Sequence, residues 1–166
     1  MGKNSKICAL LQKIKIIGID KDKEVLSDAK KNLEWANFPK ENYRLINEDS
    51  TKVKTEKADV IVTEPHLGVL LKEIPSGQES KIILNDFDNL IIQVLKNLKN
   101  NIRGKIVFTA PLIKIKENKK RMACNIIKII QQTGLRGSLI NKSPAIFQEI
   151  RDDQIVARNI FVLENK

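Results

Sequence analysis

The stretch that most constrains this chain is Ala58-Asp-Val-Ile-Val-Thr-Glu-Pro-His-Leu-Gly68, apolar β-formers broken by an acid and a proline. Runs of this kind form strands buried on both faces. The Glu64-Pro65 step ends the ladder, because proline has no backbone N–H to give. In open α/β sheets, ligands bind just past the carboxyl ends of the strands. Glu64 is therefore a carboxylate presented where ligands bind. A second strand of the same kind, Lys15-Ile-Ile-Gly-Ile-Asp20, also ends in a carboxylate. Two strand-end acids, with a helix and another strand between them, point to a nucleotide-type cofactor site.

The alternation continues along the chain. Residues 5–13 read as a short helix and residues 15–20 as a strand. Residues 22–36 form a helix with Asp22 as N-cap and Val25, Leu26, Ala29, Leu33 and Trp35 as its apolar positions. Residues 37–42 are a turn, and residues 43–47 a strand ending at Glu48-Asp49-Ser50. Residues 59–63 are the next strand. A loop over 69–79 holds Pro75, Ser76 and Gly77, and a long helix follows over 80–100, closed by Asn101 and Gly104. Its apolar stripe over 82–98, like Trp35, reads as core.

A strand over 105–110 is stopped by Pro111. Residues 117–133 read as a helix with Gly134 just past its end. Two last β segments, 145–149 and 155–163, flank the turn Ile150-Arg-Asp-Asp-Gln154 and form a hairpin. Alternating β/α closed by such a hairpin indicates a Rossmann-like α/β sheet, mostly parallel with an antiparallel edge.

At 166 residues the chain has the size of one domain. Its 42% apolar and 30% charged content is that of a soluble globular protein. No apolar run reaches the roughly 20 residues that span a bilayer. Cys8 and Cys124 stand alone, without a metal-ligand spacing, so a metal site and a disulfide framework are not expected, and a reducing cytoplasm is. The net charge of +10 favours a polyanionic partner such as RNA or DNA. Lys114, Lys116, Lys119, Lys120 and Arg121 cluster after Pro111. The competing reading is a solvated face in a lysine-rich composition.

This order resembles the class I S-adenosylmethionine-dependent methyltransferases, and within them the RNA methylases of the tRNA guanine-N2 type. Ile16-Ile-Gly-Ile-Asp20, followed by a helix containing Ala29-Lys-Lys-Asn-Leu33, looks like the family's cofactor-ribose segment. Asn47-Glu-Asp-Ser50 looks like its adenine-contacting strand end. Val62-Thr-Glu-Pro-His-Leu-Gly68 looks like its catalytic motif, and residues 145–163 resemble its last hairpin. The resemblance covers most of residues 15–164. It implies S-adenosylmethionine as cofactor, with Asp20, Lys21, Glu48, Asp49 and Ser50 on the cofactor side. It implies Glu64, Pro65, His66, Leu67 and Gly68 as the catalytic set.

The chain departs from that family in three ways. The glycine-rich first strand and loop, which belong immediately before residue 5, are replaced by Met1-Gly-Lys-Asn-Ser5. The family's first strand is thus expected to be missing, which describes a truncated or split methyltransferase domain completed by an upstream segment or a partner subunit. The RNA-binding domain that usually precedes the catalytic domain is expected to be missing too. In the motif itself, which in the family runs acidic-Pro-Pro-aromatic-Gly, Glu64 replaces the usual Asp or Asn, His66 the second proline, and Leu67 the aromatic.

The chemistry of these residues is consistent with the resemblance. Asp20 can accept both ribose hydroxyls; the alternative is a helix cap, for which Asp22 is better placed. Asp49 can accept from the adenine amine, with Glu48 next to it, or can serve only as a turn acid. Glu64 and the Pro65 carbonyl can accept from an exocyclic base amine and aim its lone pair at a methyl group; alternatively Glu64 merely terminates a strand. His66 offers a stacking surface or is a plain loop residue. The expected reaction is methyl transfer to a base nitrogen, in tRNA first and DNA second. A non-catalytic remnant that binds nucleic acid or a partner is the alternative. A nicotinamide-binding domain is disfavoured, because no GxGxxG precedes the first strand-end acid.

Overall fold

The computed structural model describes residues 14–68, 70–117, 120–140, 143–144, 146–151 and 153–165. The helix expected over 5–13, with Cys8, and Lys119 of the basic cluster lie outside the described residues. The chain divides into two compact units between Val53 and Lys54.

The first unit is a βαβ element. Strand β1 (Ile16–Asp20) leads into helix α1 (Lys23–Trp35), and a 3-10 turn at Lys40–Asn42 returns the chain to strand β2 (Tyr43–Asn47). The strands run parallel, with Ile16 opposite Tyr43 and Asp20 opposite Asn47. Helix α1 starts where Asp22 accepts the Glu24 N–H at 2.8 Å, the cap the sequence indicates. Phe38 is buried and its ring lies 6.3 Å from that of Tyr43.

Expectation and structure differ in burial. β1 is half-buried along its whole length, not buried on both faces, because β2 is its only strand partner among the described residues. α1 has no fully buried residue: Leu26, Ala29 and Leu33 are half-buried, whereas Val25 and Trp35 are exposed and not core.

The second unit carries the larger sheet. Strand β3 (Ile61–Thr63) pairs parallel with β4 (Lys105–Lys114), Ile61 opposite Ile106. β4 in turn pairs antiparallel along nine residues with the last strand, Val156–Glu164. Between these lie helix α2 (Gly77–Leu98), strand β5 (Arg121–Ala123), helix α3 (Ile126–Thr133) and four short strands. The short strands are β6 (Arg136–Gly137), β7 (Leu139–Ile140), β8 (Ser143–Pro144) and β9 (Ile146–Glu149), which makes the last strand β10. β9 and β10 form the expected hairpin, Glu149 opposite Arg158. The sheet is mixed, parallel at β3/β4 and antiparallel beyond.

Its core forms where α2 lays Leu84, Phe87, Ile91, Ile92 and Leu95 against Ile106, Phe108, Phe161 and Leu163 of the sheet. Most of the apolar stripe expected over 82–98 is core, as the sequence indicates, whereas Ile82 and Leu90 are exposed. Phe108 and Phe161 are cross-strand partners with ring centroids 5.5 Å apart.

Four expectations change in this unit. β3 spans three residues rather than five, and Val62 is 75% exposed. Ile61 packs on the core, and alternation turns Val62 to the opposite face, which no described element of this unit covers. Helix α2 begins at Gly77, not Ser80: Ser76 and Glu79 form a capping box, with the Ser76 hydroxyl accepting from the Glu79 N–H. Pro111 does not stop β4, which runs on to Lys114. The parallel partner β3 ends opposite Phe108 and β5 begins opposite Leu112, so Pro111 sits where only β10 pairs with the strand. Residues 117–133 are not one helix. Glu117 accepts the Gly77 N–H at 2.9 Å, residues 121–123 pair with β4, and Asn125 then caps a shorter helix that ends at Gly134 with φ +71°.

Candidate functional site

In the first unit, the parallel register places the ends of β1 and β2 side by side. The Asn47 amide donates to the carbonyls of Asp20 at 3.1 Å and Lys21 at 2.9 Å, and the Glu48 N–H donates to the Asp20 carbonyl at 3.1 Å. These bonds bring Asp20, Lys21, Glu48 and Asp49 to one strand end. Asn47 is the clamp, and sequence reasoning missed it. The available signal was an amide-bearing residue closing a strand at the same register as an acid.

Asp20 does not cap the helix, since Asp22 does. Its Oδ1 accepts the Asp22 N–H at 2.9 Å, and among the described residues Oδ2 accepts nothing. One carboxylate oxygen therefore remains for an outside donor. Asp49 is more committed. Its Oδ1 accepts both the backbone N–H and the hydroxyl of Thr51 at 2.8 Å, and its carbonyl takes the N–H groups of Lys52 and Val53. The Thr51 bonds, backbone first, hold its carboxyl below the usual value, with Lys52 and Lys21 adding to the pull. Glu48 turns back to accept the Asp49 N–H at 2.9 Å. Ser50 is half-buried in this turn. The turn-acid role foreseen for Asp49 is thus real, and an adenine contact would use Oδ2.

Two neighbouring acids with an oxygen each to spare, one of them held ionised, fit the hydroxyl and amine donors of an adenosine group. Among the described residues no cluster of His, Cys, Asp and Glu could hold a metal ion. No described helix is long and apolar enough to cross a membrane.

In the second unit, Glu64 follows β3 directly and its side chain is 55% exposed. Its Oε1 accepts from Arg158 Nε at 2.7 Å, and Arg158 Nη1 lies 3.9 Å from Glu149 Oε2. Arg158 is a second residue that sequence reasoning passed over: 94 positions separate it from Glu64, and no local pattern links them. Pro65 is half-buried and His66 exposed. Leu67 packs against the hydrophobic core rather than toward solvent. Gly68 has φ +105°, and a Cβ there would meet Ile83 Cγ2 at 2.7 Å. Only glycine fits both the backbone and the space, so the loop leaves β3 on a fixed course toward α2. Beyond it, Leu70, Leu71, Ile74, Pro75, Ile82 and Lys116 line a shallow cavity of about 600 Å³.

The buried acid of this unit lies elsewhere. Asp88, on α2, accepts the Asn125 N–H at 3.1 Å and so supports the start of α3. Burial pushes its carboxyl up, against the Asn125 bond and Lys128. The adjacent Cys124 thiol is pushed up to about 12 by burial and by Asp88, which makes it an inert core residue.

No family model matches this sequence, and no curated protein is similar to it by sequence. Solved structures are similar in fold. Magnesium protoporphyrin IX methyltransferase from Synechocystis PCC 6803, solved with bound S-adenosylmethionine, aligns with a TM-score of 0.63 and 10% identity over 99% of this chain and 65% of its own. NSun6 from Pyrococcus horikoshii aligns with a TM-score of 0.63 and 20% identity over 99% of this chain and 45% of its own. LepI in complex with S-adenosylmethionine gives 0.59 and 13% over 98% of this chain and 39% of its own. This chain thus spans between about two fifths and two thirds of the length of these structures. Its fold is the Rossmann-like fold of S-adenosylmethionine-dependent methyltransferases.

Proposed function

We propose that this protein transfers a methyl group from S-adenosylmethionine to an exocyclic base nitrogen of RNA, most specifically guanine N2 in tRNA. The observation that carries the reading is Glu64. It is an exposed carboxylate at the carboxyl end of a parallel strand in a methyltransferase fold, followed by a proline carbonyl and a glycine that fixes the loop. A carboxylate only accepts hydrogen bonds, so it selects an NH₂ group over a carbonyl at a base edge. The net charge of +10 and the lysines at 114, 116 and 120 support a polyanionic substrate.

When bound, S-adenosylmethionine supplies an electrophilic methyl group on a sulfonium. Asp20 would accept from its ribose hydroxyls and Asp49 from its adenine amine. Glu64 Oε2 and the Pro65 carbonyl accept the two amine hydrogens, which leaves the nitrogen lone pair free to attack. Orientation of this kind supplies much of the rate of a displacement. Glu64 Oε2 can receive the proton that the nitrogen sheds as the new N–C bond forms. His66 lends its ring as a stacking surface beside the base.

The test is calorimetry with S-adenosylmethionine, followed by transfer of labelled methyl to tRNA transcripts and to duplex DNA. Micromolar cofactor binding with tRNA labelling is the expected result; labelling of DNA alone would move the reaction to a DNA base amine. A second reading, a non-catalytic protein that binds nucleic acid or a partner, is favoured by the net charge of +10, which serves such binding without any cofactor. Tight RNA binding without cofactor binding would establish it.

A further inference from the structure

The Glu64–Arg158 pair is exposed enough that it adds little to stability, so its effect is directional. Arg158 is the third residue of β10, where Pro111 and Glu149 are its cross-strand neighbours, and its backbone is fixed on both sides. Its Nε meets Glu64 at 2.7 Å while its Nη1 is 3.9 Å from Glu149, which Arg151 also approaches at 3.7 Å. The guanidinium is planar, so holding one end orients the other. Arg121 has no share in this contact: its guanidinium donates to the carbonyls of Leu112, Arg151, Gln154 and Ile155 and ties the hairpin turn to the sheet.

We propose that Arg158 is a positioning residue for Glu64. By binding Oε1 it fixes the rotation of the carboxylate and leaves Oε2 as the acceptor for the target amine, and Glu149 steadies the guanidinium from the hairpin side. The proposal rests on the reading of Glu64 given above. It also assigns the last hairpin a part in the chemistry, through a side chain that reaches from β10 to the residue after β3.

The experiment combines a contact readout with a kinetic one. In ¹⁵N NMR, the Arg158 Nε–H, assigned through its loss in Arg158→Gln, should exchange slowly in the wild type and at least tenfold faster in Glu64→Ala. Exchange that is indifferent to Glu64→Ala would overturn the proposal. In methyl transfer, Arg158→Gln should lower kcat by about 10-fold or more and leave the cofactor KM within twofold. Added to Glu64→Ala, the same substitution should cost nothing further. An equal fold-loss in both backgrounds would mean that Arg158 acts independently of Glu64 and would also overturn it. If the wild type transfers no methyl group at all, the functional reading fails, while the NMR readout still decides whether the contact exists. Should Arg158→Gln not fold, Glu64→Ala probes the same contact from the other side.

Discussion

At the scale of single residues, Asp20 and Glu64 separate two jobs that a strand-end acid can do. Asp20 keeps Oδ2 for an outside donor, and its loss removes a charged acceptor. Asp20→Ala is expected to weaken S-adenosylmethionine binding by ~1–3 kcal/mol, as measured by calorimetry. Unchanged affinity in a protein that binds the cofactor would exclude the ribose role. Glu64→Ala should instead lower methyl transfer by about 100-fold or more, the range for a positioned acid or base, and leave cofactor affinity nearly intact. Equal loss of both would return Glu64 to the status of a strand terminus. The strand-end positions of both acids were legible from sequence because apolar runs that end in an acid are local patterns. Arg158 was not, because what gives it meaning is a pairing that only the folded sheet creates.

Elements were legible where local signals agreed and illegible where a partner decided. The N-cap at Asp22, the glycine at 134 and the final hairpin all follow from short-range chemistry. The segment 121–123 does not: its residues accept a helix, and antiparallel pairing with β4 makes them a strand. Asn125, a good cap just before an apolar run, was the overlooked signal for where the helix starts. Asp88 at that junction gives a pH prediction. Its folded value is raised above its ordinary 3.8, so its contribution is fully present below 3.8 and is lost as pH rises through the folded value. Asp88→Asn keeps an acceptor for the Asn125 N–H without the buried charge. Urea unfolding should show the variant equal to or more stable than wild type at pH 7, with a flatter pH dependence above 3.8. A variant clearly less stable at pH 7 would show that the charge itself is needed to start α3.

For the whole molecule, the decisive feature is that β1 and β3 each have one strand partner among the described residues. Among the described residues each therefore has one edge without a strand neighbour. Such edges favour association, and β3 carries exposed Val62 with exposed Val60 just before it. Sedimentation of the protein should show concentration-dependent self-association, and Val62→Lys should reduce it without loss of thermal stability. A monomer at high micromolar concentration would show that these edges are already protected.

The nine-residue ladder between β4 and β10 carries a consequence for how the molecule comes into being. β10 is the last element in chain order, yet in the sheet it lies between β4 and β6. On a ribosome, β4 emerges well before the strand that must dock beside it, and Phe108 waits for Phe161 to pair with it. Contacts this distant in sequence close slowly, because the loop entropy must be overcome before they form. The side chain that holds Glu64 arrives on that same strand. In a nascent chain, Glu64 therefore has no Arg158 to hold it until β10 has been made.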